Sequence, residues 1–261
     1  MKLIKKSLSF ITAIACCAAI SGIMPVSSSA EESVKTYGDL SYITSDSDGD
    51  GTDDYAQIVD CNETAVEVDI PAEIEGLPVK STRDWAFADC KSLTSISVPD
   101  SVNAIGNGAF SGCSSLASIN IPNSVTTIRG SAFCNCLSLT SITIPESVTS
   151  IEIAAFSGCS SLTNITIPDL VASIGDHAFY NCSSLTSITV SENNKYFSSL
   201  NGVLFNKDKT ELVTYLIGNE RTEYAIPDSV TSIGDRAFYK CSSLTSIIIP
   251  DSVTSIGDFA F

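Results

Sequence analysis

Acidic residues gather once in the chain, in "DSDGDGTDDY" from Asp46 to Tyr55. Asp46, Asp48 and Asp50 fall at positions 1, 3 and 5 of a twelve-residue calcium loop, and Gly51 stands at the sixth, where such a loop turns sharply. Asp54 takes the ninth position. The twelfth is Gln57, where the loop needs a bidentate Glu, so the stretch departs from the motif at its most important ligand. Two readings stay open. Either three spaced carboxylates hold a weakly bound structural calcium, or Gly and Asp simply form a long polar turn between "LSYIT" and "YAQIVDC". No other cofactor is expected.

Catalytic chemistry has little to stand on. His177 is the single histidine, so a hydrolytic base has no second candidate, and its place in "GDHAF" reads as a surface turn. Asp84, Asp176, Asp235 and Asp258 recur at one repeat position, which suits turn residues better than an acid/base pair. "GNGAFSG" (residues 106–112) only loosely mimics a phosphate loop. Six cysteines, Cys90, Cys113, Cys136, Cys159, Cys182 and Cys241, also hold one repeat position, with no C-x-x-C pair for a metal. Side chains parallel on neighbouring coils do not converge for a disulfide, so buried free thiols are expected. Cys134, one step out of the row, is the thiol expected to be exposed or reactive, and Cys61 lies outside the row. No catalytic residue is assigned, and the chain is read as a non-enzyme.

These residues are carried by a repeat. Pro99, Pro122, Pro145 and Pro168 follow one another at a constant step, a 23-residue period that Pro227 and Pro250 resume. The interval from Pro168 to Pro227 is longer than two such steps, so one unit carries a 13-residue insertion. Ala-Phe pairs ending at Phe87, Phe110, Phe133, Phe156, Phe179, Phe238 and Phe261 keep the same step. Within a unit, Leu139, Ile142, Ile144, Val148, Ile151, Ala155 and Phe156 mark the apolar template. "LTSITIP" alternates as a half-buried strand that Pro closes, "SVTSI" forms a second short strand, and "AFxxCSSL" is a tight turn. A fixed period of this length means stacked coils that bury their apolar rows against one another.

The units "LTSITIPxSVTSIGDxAFxxCSS" resemble the BspA-like leucine-rich repeats of secreted and surface bacterial proteins, over about residues 70–261. The fold expected is a β-rich solenoid of stacked 23-residue leucine-rich-repeat coils, with parallel strands, short 3₁₀ or turn segments and an N-terminal β cap. The expected organisation is a signal peptide (residues 1–30), the cap with its acidic loop (31–69) and the solenoid (70–261), whose last repeat is incomplete. The segment from about 191 to 226 resembles an interruption common in this family. Its "GVLF" and "ELVTYL" suggest a hairpin. The aspartate loop is similar to the short loops of the thrombospondin type-3 kind.

"MKLIKKSLSFITAIACCAAISGIMPVSSSA" reads as an export signal, with a membrane anchor or a lipoprotein site at Cys16 as alternatives. Removing its three lysines takes the formal charge from −16 to −19. A chain this acidic repels nucleic acid and anionic membrane surfaces, and no other segment is apolar enough to insert in a bilayer. Function then rests on surface. The resemblance implies a secreted or cell-surface binding module for an extracellular protein or polysaccharide ligand; the alternative is a structural spacer in a longer multidomain protein. Thr94, Ser95, Thr140, Ser141, Thr163, Thr186 and Thr245 form one exposed strip suited to many weak contacts. In the interrupted unit, Tyr196, Phe197, Phe205, Tyr215 and Tyr224 either make a specific patch or pack the hairpin onto the coil.

Overall fold

The alternating and proline-closed segments become strands too short to stand alone, so pairing between coils holds them. The computed structural model describes residues 33–261, and the expected export signal lies outside the described residues. Six strands build the start: β1 (Lys35–Tyr37), β2 (Leu40–Ser45), β3 (Tyr55–Cys61), β4 (Glu67–Asp69), β5 (Glu73–Ile74) and β6 (Leu77–Thr82). β1, β2 and β3 form an antiparallel meander, with the aspartate loop joining β2 to β3. β3 then pairs in parallel with β6, where the antiparallel cap passes into the parallel array. The array reaches back to β4, whose residues pair with Ser95–Ser97 of the next coil.

Beyond the cap, each coil adds one rung to each of three ladders. The strand before the proline supplies the first, as in Asn164–Ile167 against Ser187–Val190. After the proline, a turn closed by the valine N–H on the proline carbonyl, as Val148 on Pro145 at 3.0 Å, leads to a two-residue strand. Thr127–Ile128, Ser150–Ile151 and Ser173–Ile174 stack this way. The third ladder runs through the Ala-Phe turn. Trp85, Phe87 and Asp89 donate their N–H groups to the carbonyls of Asn107, Ala109 and Ser111, each at 2.8 Å. Successive turns hold this register because two residues per coil, such as Trp85 and Asp89 (64° and 58°), Ser131 and Asn135 (55° and 58°) or His177 and Asn181 (59° and 57°), adopt positive φ, a conformation costing about 1–2 kcal/mol for a non-glycine residue that the ladder bonds offset. Single i to i+3 turns, Cys90 on Phe87 and Leu93 on Cys90, complete the coil. No helix occurs among the described residues.

The apolar template fills the interior: Leu139, Val148, Ala155 and Phe156 have no exposed surface, and Ile142 is 9 % exposed. Phe87, Phe110, Phe133, Phe156 and Phe179 form one column of stacked rings with centroids 5.1–5.9 Å apart. Coil spacing dictates that distance, because parallel strands sit about 4.8 Å apart.

The lengthened unit interrupts this regularity. Phe197–Leu200 and Val203–Asn206 form a hairpin across Asn201-Gly202, both at positive φ, as a two-residue turn requires. Glu211–Thr214 adds a third strand beside Val203–Asn206 and rejoins the array by pairing with Ser232–Ile233. The expected hairpin of "GVLF" and "ELVTYL" is present, and the strand before it is an addition to that expectation. Buried Asn194 pins the insertion, its amide donating to the carbonyls of Pro168 (2.6 Å) and Val171 (3.0 Å) while its oxygen accepts the Tyr196 and Phe197 N–H groups. Buried apolar residues divide here into two clusters, one ending around Leu204 and Leu216 and one spanning Val203 to Ala260.

Candidate binding site

The aspartate loop brings together three of its four candidate ligands. Oxygens of Asp46, Asp48 and Asp50 lie within 4.8 Å of one another. Asp46 accepts the N–H groups of Gly51 (2.8 Å) and Gly49 (2.7 Å), and Asp50 accepts the Thr52 hydroxyl (2.5 Å) and N–H (2.8 Å). Those bonds hold the Asp46 and Asp50 carboxyls below the usual aspartate value. Asp54 turns instead to Ser47, whose hydroxyl and N–H it accepts. Gln57, at the twelfth position, donates to Ser81 Oγ at 2.8 Å and is committed to the sheet. Three carboxylates with part of their oxygens already bonded fit at most a weak calcium site.

The cysteine row is a row of free thiols. Each Sγ of Cys113, Cys136, Cys159 and Cys182 donates to the phenylalanine carbonyl of the preceding coil at 3.1 Å. Burial pushes the Cys136 and Cys159 thiols well above their ordinary range. Cys134 corrects the expectation of an exposed thiol: it is 4 % exposed, and Ser111 and Ser157 at the same repeat position are buried too, because a small side chain there is covered by the turns stacked on either side. Cys61 is also buried, its thiol donating to the Asn62 carbonyl at 3.7 Å.

Of the insertion's aromatics, Phe205, Tyr215 and Tyr224 are core residues, Phe197 is half-buried and Tyr196 is 51 % exposed. Packing the hairpin therefore uses most of them. The Thr/Ser strip is exposed as expected, but part of it serves the ladder: the hydroxyls of Thr94, Thr140, Thr186 and Thr245 donate to carbonyls of the preceding coil at 3.0–3.4 Å.

A different site emerges where the stack breaks. Leu212 pairs with Ile233, and Tyr215 takes the phenylalanine place, its N–H on the Ala237 carbonyl at 2.7 Å. The step from Leu212 to Tyr215 is shorter by two than the matching step from Ile233 to Phe238. The protruding "GDxA" turn is thus cut short in this coil. Its neighbours on either side keep theirs and face one another across a slot of about 140 Å³.

One wall of the slot carries unmet donors. In the coils of Phe87, Phe110, Phe133 and Phe156 all three alternate turn N–H groups reach the following coil. The equivalent N–H groups of His177, Phe179 and Asn181 make no hydrogen bond among the described residues. Asp84 and Asp235 accept the N–H of Asn107 and Asp258 in the next coil, at 2.7 and 2.8 Å; Asp176, at the same repeat position, has no such partner among the described residues. On the opposite wall the Asp235 carbonyl receives no donor among the described residues, and the Tyr239 carbonyl only a 3.8 Å contact from Cys241 Sγ.

Aromatic and basic side chains frame the mouth. Tyr180 and Tyr239 stack across the gap at 5.6 Å, and the Lys240 ammonium lies 5.4 Å from both ring centroids and 3.4 Å from the Tyr180 hydroxyl. His177 packs edge-on to Tyr180. Burial and the Arg236 guanidinium hold its imidazole below the ordinary histidine value, against the opposing pull of Asp176. None of Tyr180, Arg236, Tyr239 and Lys240 stood out in the sequence. The missing "GDxA" before Tyr215 becomes a signal only once the pairing of Leu212 with Ile233 aligns that coil with its neighbour.

The family model for the BspA type leucine rich repeat region matches residues 80–207 and 218–261, in six copies. No curated protein matches the chain. Among solved structures, a leucine rich cell surface protein of Faecalibacterium prausnitzii is 28 % identical, over 90 % of this chain and 75 % of its own, with a TM-score of 0.63. The Treponema pallidum leucine rich repeat protein is also 28 % identical, over 85 % of each chain, with a TM-score of 0.57. The pneumococcal vaccine antigen PcpA, 22 % identical over 88 % of this chain and 67 % of its own, shares the fold with a TM-score of 0.71. The ladders, the phenylalanine column and the matched copies agree: the chain belongs to the BspA-type leucine-rich repeat family.

Proposed function

We propose that this chain is a non-enzymatic binding module, displayed outside the cell or on its surface, that engages an extracellular ligand at the break in its stack. The observation that carries the reading is the slot, where the ladder donors His177, Phe179 and Asn181 go unmet among the described residues, beneath Tyr180 and Tyr239. A repeat scaffold satisfies its own backbone everywhere it can, because an unmade hydrogen bond costs more than a made one gains. A similar solved structure is described as a cell surface protein, which supports the proposed location. No helix among the described residues is long and apolar enough to cross a membrane.

The test is binding of the chain to immobilised matrix proteins and to plant and microbial polysaccharides, with calcium and with chelator. Saturable binding that Tyr239→Ala weakens supports the reading. Saturable binding untouched by Tyr239→Ala moves the ligand to the exposed strip. A folded chain that binds nothing favours the spacer role instead.

A further inference from the structure

The pattern of unmet groups specifies more than a location. The wall of His177, Phe179 and Asn181 offers N–H donors at alternate residues, while the facing wall offers the carbonyl of Asp235 and, weakly engaged, that of Tyr239. Donors on one side and acceptors on the other are what a vacated rung of this ladder leaves behind, since each regular turn, with positive φ at two residues four apart, sends its N–H groups to the following coil and offers its carbonyls to the preceding one. A sugar ring, whose hydroxyls both donate and accept, requires no such segregation. Sugar stacking is further disfavoured because Tyr180 and Tyr239 already cover one another and the Lys240 ammonium sits over both rings.

We propose that the slot docks a peptide segment of a partner protein in the conformation of the repeat's own Ala-Phe turn, whose backbone replaces the shortened turn and completes the third ladder. This rests on the reading that the ligand binds at the break. The volume, about 140 Å³, is close to the roughly 150 Å³ cavity that takes up a benzene molecule, so the central residues of the segment are small. Arg236 and Lys240 at the rim select an acidic residue beside them, as the chain's own "GDRA" (residues 234–237) carries between its glycine and alanine. Docking of this kind, like strand addition, draws affinity from main-chain bonds and selectivity from the flanking side chains.

The probe is the synthetic decapeptide TSIGDRAFYK, the regular version of the missing turn, with a scrambled decapeptide, cellobiose and glucuronic acid as comparisons. Backbone amide shifts and hydrogen exchange of the full chain are followed by NMR during titration. A few backbone hydrogen bonds imply a Kd on the order of 1 mM. The expected result is saturable shifts of the His177, Phe179 and Asn181 amides, with slowed exchange, for the decapeptide alone. Lys240→Gln weakens binding about two- to fivefold.

A second variant inserts Gly-Asp after Val213 to restore the full turn. It protects the same three amides without peptide and abolishes binding. Peptide that leaves these amides unmoved in the wild-type chain overturns the proposal, whatever the insertion variant does. Amides moved by a sugar and not by the peptide overturn it as well, while leaving the ligand at the break. Extracellular ligands that bind without disturbing the slot remove both readings.

Discussion

Phe133→Ala and Phe179→Ala test whether the aromatic column stops at the slot. Phe133 is fully buried, with Phe110 and Phe156 stacked on its two faces at 5.5 Å and interplanar angles of 8° and 4°. Truncating such a ring costs about 3–5 kcal/mol, a range that includes two stacks of about 0.5–1.5 kcal/mol each. Among the described residues Phe179 stacks only on Phe156, at 5.9 Å, and its other face borders the slot. With one stack fewer and part of the ring already wet, its truncation is expected to cost about half as much, roughly 2 kcal/mol. Urea unfolding followed by circular dichroism reads the difference. At a slope of about 2–3 kcal/mol/M, the Phe133→Ala midpoint lies roughly 1 M below that of Phe179→Ala. Equal midpoints, or a larger loss for Phe179→Ala, would refute the reasoning, because the slot would then be as well packed as the interior.

Trp85 is the single tryptophan, and a Cβ on Gly108 would lie 2.3 Å from its ring carbons at a φ of +57°. Gly108→Ala should swing the indole outward, red-shift its fluorescence and cost about 1–2 kcal/mol; unchanged emission counts against this packing. Asn194→Leu removes two donated and two accepted bonds in a buried site and leaves carbonyls unpaired, so a loss of about 2–4 kcal/mol and faster proteolysis of the insertion are expected, and wild-type stability would contradict it. At pH 8 the Cys136 and Cys159 thiols, pushed up by burial, should resist a thiol reagent in the folded chain, with half-buried Cys241, pushed up to about 11, labelling first; rapid labelling of the whole row would be the contrary result. The Asp46, Asp50 and Asp54 carboxyls are held below 3.8 by their hydrogen bonds. Their loop order is thus complete above that value and lost as pH falls through the lowered ones. Millimolar calcium should shift the amides of residues 46–52, and silence at about 10 mM calcium ends the calcium reading.

Much of the architecture is local and therefore legible in the chain. The regular 23-residue spacing of proline, the alternating strand before it and the Ala-Phe turn each follow from short-range chemistry. Repetition itself then implies stacking, since a lone coil leaves its apolar row exposed. The burial of Leu139, Val148 and Phe156 was readable in the same way, as was the row of buried thiols. Cys134 departs from its expected exposure because its position, like that of Ser111 and Ser157, is covered by neighbouring coils, which single-unit alignment does not contain.

The slot was decided by tertiary structure alone. Sequence counting gives one unit a 13-residue gain and hides the loss of two within it. Only the pairing of Leu212 with Ile233 fixes where the loss falls. The stacked pair Tyr180 and Tyr239 comes from coils that the whole insertion separates in the chain, and neither position is unusual within its own repeat. Local chemistry dictates what a coil looks like. Which groups remain unmet is a property of neighbours, because a ladder donor is satisfied or orphaned by the coil stacked beside it.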